Sequence, residues 1–207
     1  VEFMDRARGW GGVAWVAIGL ALWGTWLARG NPIGRVVVLI TVAAALSAAA
    51  FTARNARLTW WSGRVLAVLL GLELVAAVAD RFGLVGPTGA PGVSWGSWSE
   101  FVMNTQALLP WWPRPAIPAA LATALEAGLG AALIAGPGWR WCGKAVAGLF
   151  AVYTLAMLTS GATGDILRYS MAVHIGAALL VSSRAGWDSS RAGHTPDRES
   201  RTRTGAR

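Results

Sequence analysis

A chain of 207 residues that is 55% hydrophobic and only 14% charged, with mean hydropathy +0.48, carries more apolar side chain than a soluble domain of this length needs for its core. The composition points to a membrane protein. The formal charge of +8 does not argue for nucleic acid, because much of it sits in short loops between apolar runs and in the tail "SSRAGWDSSRAGHTPDRESRTRTGAR".

Val1, Glu2 and Phe3 ahead of Met4 read either as a cloning scar or as a start at an alternative codon. Residues 1–9 then form a short polar lead. Six apolar runs follow, near 10–28, 35–53, 64–81, 115–136, 144–160 and 165–183, each close to the roughly 20 residues that cross a bilayer. "ARGNPIGR", "TARNARLTWWSGR", "AGPGWRWCGK" and "TSGATGD" separate them with the helix breakers and charges expected of turns. The first run follows Arg6 and Arg8 as a signal peptide would, but no small-x-small cleavage site closes it, so it reads as an uncleaved helix.

Basic residues orient the spans. With the N-terminus inside, the inner side collects nine (Arg6, Arg8, Arg54, Arg57, Arg64, Arg140, Lys144, Arg184 and Arg191) and the outer side five (Arg29, Arg35, Arg81, Arg114 and Arg168). Both termini are therefore expected in the cytoplasm. Residues 82–114 become the one long outer loop, with Trp95, Trp98, Trp111 and Trp112 mirrored inside by Trp60, Trp61, Trp139 and Trp141, as aromatic belts are. Within it, the helical spacing of Trp98, Phe101, Val102, Thr105, Leu108 and Leu109 predicts a short interfacial helix that Pro110 stops. The loop reads as a cap, covering a site or simply anchoring the bundle. After Ser183 the chain loses its apolar residues, and 184–207 reads as a disordered basic tail near the inner surface.

Ionisable residues inside spans cost a few kcal/mol each, about 2.5–3.5 on insertion scales, so each needs a reason. Glu73, Glu126 and His174 lie roughly 13–17 Å from the ends where their spans begin, near the midplane of a core about 30 Å thick. Two carboxyls and an imidazole at one depth can form a proton-handling pocket; the alternative is a set of separate structural hydrogen bonds between helices. A metal site from the three lacks ligand spacing on any one helix. At the outer boundary Asp80 and Arg81 end the third span, and Asp165, Arg168 and Tyr169 open the sixth, which makes either a polar rim over the pocket or ordinary interfacial ion pairing. In the fourth span Ala120, Ala124, Gly128 and Ala132 form a small-xxx-small row suited to close helix packing, with Glu126 off it.

The loop "ADRFGLVGPTGAPGVSWGSWSEF" with "LLP" after it, then "ALATALEAGLGAALIAGPGWR", then "DILRYSMAVHIGAALLVSS" resemble, in order and spacing, the DoxX-like integral membrane proteins. The resemblance covers about residues 64–183. It implies an all-α four-helix transmembrane bundle, here preceded by two additional transmembrane helices, and carries over Asp80, Arg81, Trp95, Glu126 and Arg140 as family positions. Glu73 and His174, the two leading spans and the tail depart from the family pattern. It also implies a place beside membrane redox enzymes, as a quinone-interacting or accessory subunit.

Three functions stay open. One is a redox-linked subunit of the bacterial inner membrane that binds a quinone, with Glu126, His174 and Glu73 handling protons and Arg168, Tyr169, Asp80, Arg81 and Trp95 forming the rim. Its electrons would come from a soluble oxidoreductase or another membrane redox subunit, because the single cysteine Cys142 excludes a CxxC pair, two histidines (one in the tail) exclude bis-histidine haem ligation, and no Rossmann glycine motif is present. The others are a non-catalytic scaffold in the lipid bilayer and a small-solute or proton pathway. Homo-oligomerisation is compatible with all three.

Overall fold

The structure is a computed structural model that describes residues 2–31, 34–136 and 139–183. Its elements are α1 (Glu2–Ala28), α2 (Arg35–Thr52), α3 (Ala56–Arg81), α4 (Trp98–Leu108), α5 (Ala116–Ala135), α6 (Trp139–Thr159), α7 (Thr163–Arg168) and α8 (Met171–Ser182), with no strand among the described residues. Among the described residues five helices are long and apolar enough to cross a membrane: α1 from Arg6 onward, α2, α3, α5 and α6. The protein is thus all-helical, with the helices of a membrane protein. Exposed Leu39, Leu46, Val65, Leu72, Leu121, Leu125, Val152 and Leu155 face outward, as lipid-facing side chains do.

The expected sixth span, 165–183, is not one continuous helix. Ser170 stands in the left-handed region (φ 49, ψ 45) and divides it into α7 and α8. Twelve residues rise only about 18 Å, short of the roughly 30 Å core. Counting apolar length alone joined this helix to the turn before it. What the even hydrophobicity of "MAVHIGAALLVS" signals is burial. Every residue of α8 except Leu179 is buried, and it packs against α1, α2, α3 and α6 as the centre of the bundle.

Backbones touch where glycines permit it. A Cβ on Gly12 would lie 2.9 Å from the Gly176 carbonyl oxygen, and one on Gly143 would lie 2.7 Å from that of Ala178, so α1 and α6 clasp α8 closely. The leading pair is built into the same bundle, α1 on α8 and α2 on α3 and α8. Antiparallel α3 and α5 meet at Gly71 and Gly130, where an added Cβ would come within 2.8 and 2.9 Å of the opposite carbonyl oxygen. Of the row expected to pack, Ala120, Ala124 and Gly128 are exposed and Ala132 is half-buried, and Ala119, Glu126, Gly130 and Leu133 form the buried face instead. The 3.6-residue period allows several such rows on one helix, and composition does not choose among them.

α3 begins at Ala56, eight residues before the expected Arg64, because Asn55 caps it by accepting from the Leu58 N–H at 3.0 Å. The expected loop helix is α4, capped by Ser97, whose hydroxyl accepts the Glu100 N–H at 3.3 Å. Its buried residues are Phe101 and Thr105, and it rests on α3, α5 and α6. The tail 184–207 and the side chain of Trp139 lie outside the described residues.

Candidate functional site

Consecutive helical residues point about 100° apart, and the end of α3 uses both directions. Asp80 turns toward the loop, where its carboxylate accepts the backbone N–H groups of Ser94 (2.9 Å), Trp95 (3.1 Å) and Gly96 (3.4 Å). It forms no ion pair among the described residues, so ion pairing, one of the two readings of this boundary, does not hold for Asp80. The loop can come back onto it because Gly96 has φ +68, and a Cβ there would meet the Thr88 nitrogen at 2.3 Å. The Thr88 hydroxyl donates to the Trp95 carbonyl oxygen at 2.7 Å and closes the fold-back.

Arg81 turns into the bundle. Its Nη2 lies 2.6 Å from the Glu126 carboxylate and its Nη1 donates to Thr123 Oγ1 at 2.8 Å. Tyr153 on α6 donates its hydroxyl to the other carboxylate oxygen of Glu126. Above the guanidinium stand Phe101 and Trp95, with ring centroids 3.8 and 5.1 Å from Cζ. Trp95 meets Phe101 edge-on, and Trp98 stacks on Phe82. Arg81 and Glu126 are each only 2% exposed. A cation and a carboxylate are thus withdrawn from water and lipid, joined by a phenol and roofed by aromatic rings. Arg81 Nε is buried with no hydrogen-bond acceptor among the described residues.

The second polar centre is separate. His174 on α8 places Nε2 3.0 Å from Glu73 Oε1 and Nδ1 3.1 Å from the Ser170 carbonyl oxygen, with the Phe150 ring 5.1 Å away. With Nδ1–H donated to that carbonyl, one proton lies between Nε2 and Oε1, whichever atom carries it. His174 is fully enclosed, whereas Glu73 is 23% exposed at its side chain.

The three expected midplane groups therefore do not share one pocket. The contact of Gly71 with Gly130 sets Glu73 and Glu126 within about a turn of each other in depth, as the span arithmetic implied. Azimuth separates them: Glu73 faces α8, and Glu126 faces Arg81 and α6. The expected rim also divides. Asp80, Arg81 and Trp95 assemble at the Glu126 centre, while Arg168 and Tyr169 lie at the end of α7, which packs on α1, α6 and α8. Arg168 is exposed, with Cζ 5.5 Å from the Tyr169 ring, and no ion pair joins it to Asp165. Arg140 is half-buried at the start of α6.

Sequence reading missed Tyr153, Thr123 and Phe101. Tyr153 had a signal, being one of two tyrosines and set inside an apolar span. Thr123 stands three residues before Glu126, on the same helical face. Among the described residues no group of three His, Cys, Asp or Glu could hold a metal ion. No family model, curated protein or solved structure matches the chain.

Proposed function

We propose that this chain is a multi-pass protein of DoxX-like type in the bacterial cytoplasmic membrane, with α7 and α8 together carrying the chain back beside the start of α6 so that both termini lie inside, and that it serves as a quinone-interacting accessory subunit of a membrane redox system. The observation that carries the reading is the Arg81–Glu126–Tyr153 centre under Trp95 and Phe101. A quinone headgroup asks for donors to its carbonyl oxygens, a nearby proton source and flat apolar surfaces. Arg81 and Tyr153 are such donors, Glu126 links them, and the two rings are such surfaces. The headgroup enters when the loop lifts, and Asp80 is the latch, its carboxylate accepting the N–H groups of residues 94–96.

In this reading the chain moves protons and its partner moves electrons. A flavin- or thiol-dependent oxidoreductase delivers two electrons to the quinone, two protons reach its oxygens by way of Tyr153 and Glu126, and quinol leaves with no covalent bond to the protein. The test is titration of a short-tailed quinone into the nanodisc-embedded protein, read by quenching of tryptophan emission. Saturable quenching that weakens about tenfold in Tyr153→Phe, which keeps the ion pair and removes one donor, is expected. Equal quenching in both proteins would refute the site.

The His174–Glu73 pair favours a second reading, a proton pathway, since it sets a shared proton in the bundle with one partner partly exposed. Liposomes containing only this protein should then dissipate an imposed pH gradient, and His174→Phe should stop the leak. Tight wild-type vesicles would remove this reading.

A further inference from the structure

The end of the bundle opposite the tryptophan loop holds a cavity of about 230 Å³ lined by Arg6, Trp10, Phe51, Arg54, Ala56 and Thr59. Its walls come from three helices: the start of α1, the end of α2 with the turn after it, and the start of α3. Among the described residues that line it, two are arginines and none is an acid.

The turn fixes one of these arginines in an unusual backbone state. Arg54 has φ 53, a left-handed conformation costing a residue with a Cβ roughly 1–2 kcal/mol. Hydrogen bonds hold it there, with the Arg54 N–H donating to the Phe51 carbonyl oxygen at 3.1 Å and the Asn55 N–H to that of Ala50 at 3.3 Å. Its side chain is exposed and makes no ion pair among the described residues. Trp10 stands edge-on to Phe51 with centroids 5.7 Å apart, giving the cavity an apolar wall beside its charged mouth. Asn55 caps Leu58, and the positive end of the α3 dipole opens toward Ala56, adding to the field of the two guanidiniums.

We infer that this cavity binds the phosphate of an anionic phospholipid, with Arg6 and Arg54 on the phosphate oxygens and Trp10 and Phe51 against the glycerol and upper acyl chain. The chemistry follows from the lining: guanidinium pairs recognise phosphate oxygens, and an indole at a helix end sits at headgroup level. Phosphatidylcholine carries a phosphate too, but its ammonium group returns the headgroup to neutrality and meets the same two cations unfavourably. The inference is independent of the quinone reading, which concerns the other end of the bundle.

The test uses the full chain in a neutral detergent. The midpoint of thermal unfolding is followed as phosphatidylglycerol, phosphatidylcholine or inorganic phosphate is added. The wild type should rise saturably with phosphatidylglycerol and not with phosphatidylcholine. The half-maximal concentration should move up about tenfold in Arg54→Gln and in Arg6→Gln, stay near wild type in Arg54→Lys, and be unchanged in Arg57→Gln, an exposed arginine of the same end outside the cavity. Inorganic phosphate producing the same saturable rise, lost in Arg54→Gln, would assign the site to the phosphate group alone. Phosphatidylcholine matching phosphatidylglycerol, or Arg57→Gln losing as much as Arg54→Gln, would overturn the inference. Should Arg54→Gln not fold, the contrast of Arg6→Gln with Arg57→Gln decides it in the same way.

Discussion

Glu126→Gln removes a charge and almost no volume, so its cost isolates what the carboxylate does. Arg81 is 2% exposed and has Glu126 as its one carboxylate partner among the described residues. Removing one member of such a pair leaves the other charge buried, which costs about 3–5 kcal/mol. The Thr123 hydroxyl and the faces of Phe101 and Trp95 still stabilise the guanidinium, and glutamine can accept the Tyr153 hydroxyl, so the lower half of that range, about 3 kcal/mol, is expected. Arg81→Met also costs stability, while in Arg81→Met/Glu126→Met neither charge remains to be satisfied. The double variant should therefore be less destabilised than the sum of Arg81→Met and Glu126→Met by about 2 kcal/mol or more. The assay is reversible unfolding in mixed micelles with increasing denaturing detergent, for all four members of that cycle and Glu126→Gln. Additivity within about 0.5 kcal/mol, or a Glu126→Gln cost under about 1 kcal/mol, would refute a buried, energetically coupled pair.

Other consequences test separate parts of the structure. Asp80→Ala removes the acceptor for three loop N–H groups, so limited proteolysis should cut within residues 86–92 at least several times faster than in the wild type while α3 and α5 stay protected. Gly130→Ala should destabilise by more than about 1 kcal/mol, because its Cβ would meet the Gly71 carbonyl oxygen at 2.9 Å, whereas Gly128→Ala, with nothing within 4 Å, should be neutral or slightly stabilising in the same unfolding assay. Glu73→Gln should cost clearly less than Glu126→Gln, because the His174 left without its carboxylate can stay in the bundle as a neutral imidazole whereas Arg81 keeps its charge; an equal or larger cost would mean that His174 is held as a buried cation.

The sequence carried the apolar character, four helices to within a few residues at their turns, the loop helix and the common level of Glu73 and Glu126 along the bundle, because these follow from hydropathy, caps and helical rise. Azimuth was not legible. Glu73 and Glu126 were placed at one depth correctly, yet face different neighbours, since that depends on the rotation of α3 against α5 set by Gly71 and Gly130. Arg81 was read as a boundary residue able to reach outward, and it points inward because the loop that follows folds over it and removes the water it would have sought. The small residues of α5 offered two packing rows, and only the structure selects the one through Gly130. The division at Ser170 had no signal: serine is not a left-handed specialist, and an even apolar run reads alike whether it spans lipid or fills a bundle.

If the Arg81–Glu126–Tyr153 centre receives a quinone, that quinone should stay with the protein through gentle purification. Mass spectrometry of the lipid-soluble molecules retained by gently purified, nanodisc-embedded protein tests it most directly, with Tyr153→Phe and empty nanodiscs measured alongside. A quinone is expected in the wild type, well above empty nanodiscs and strongly reduced in Tyr153→Phe. A quinone content equal to background in the wild type, or undiminished in the variant, would contradict it and leave the buried centre as a clamp joining α3, α5 and α6.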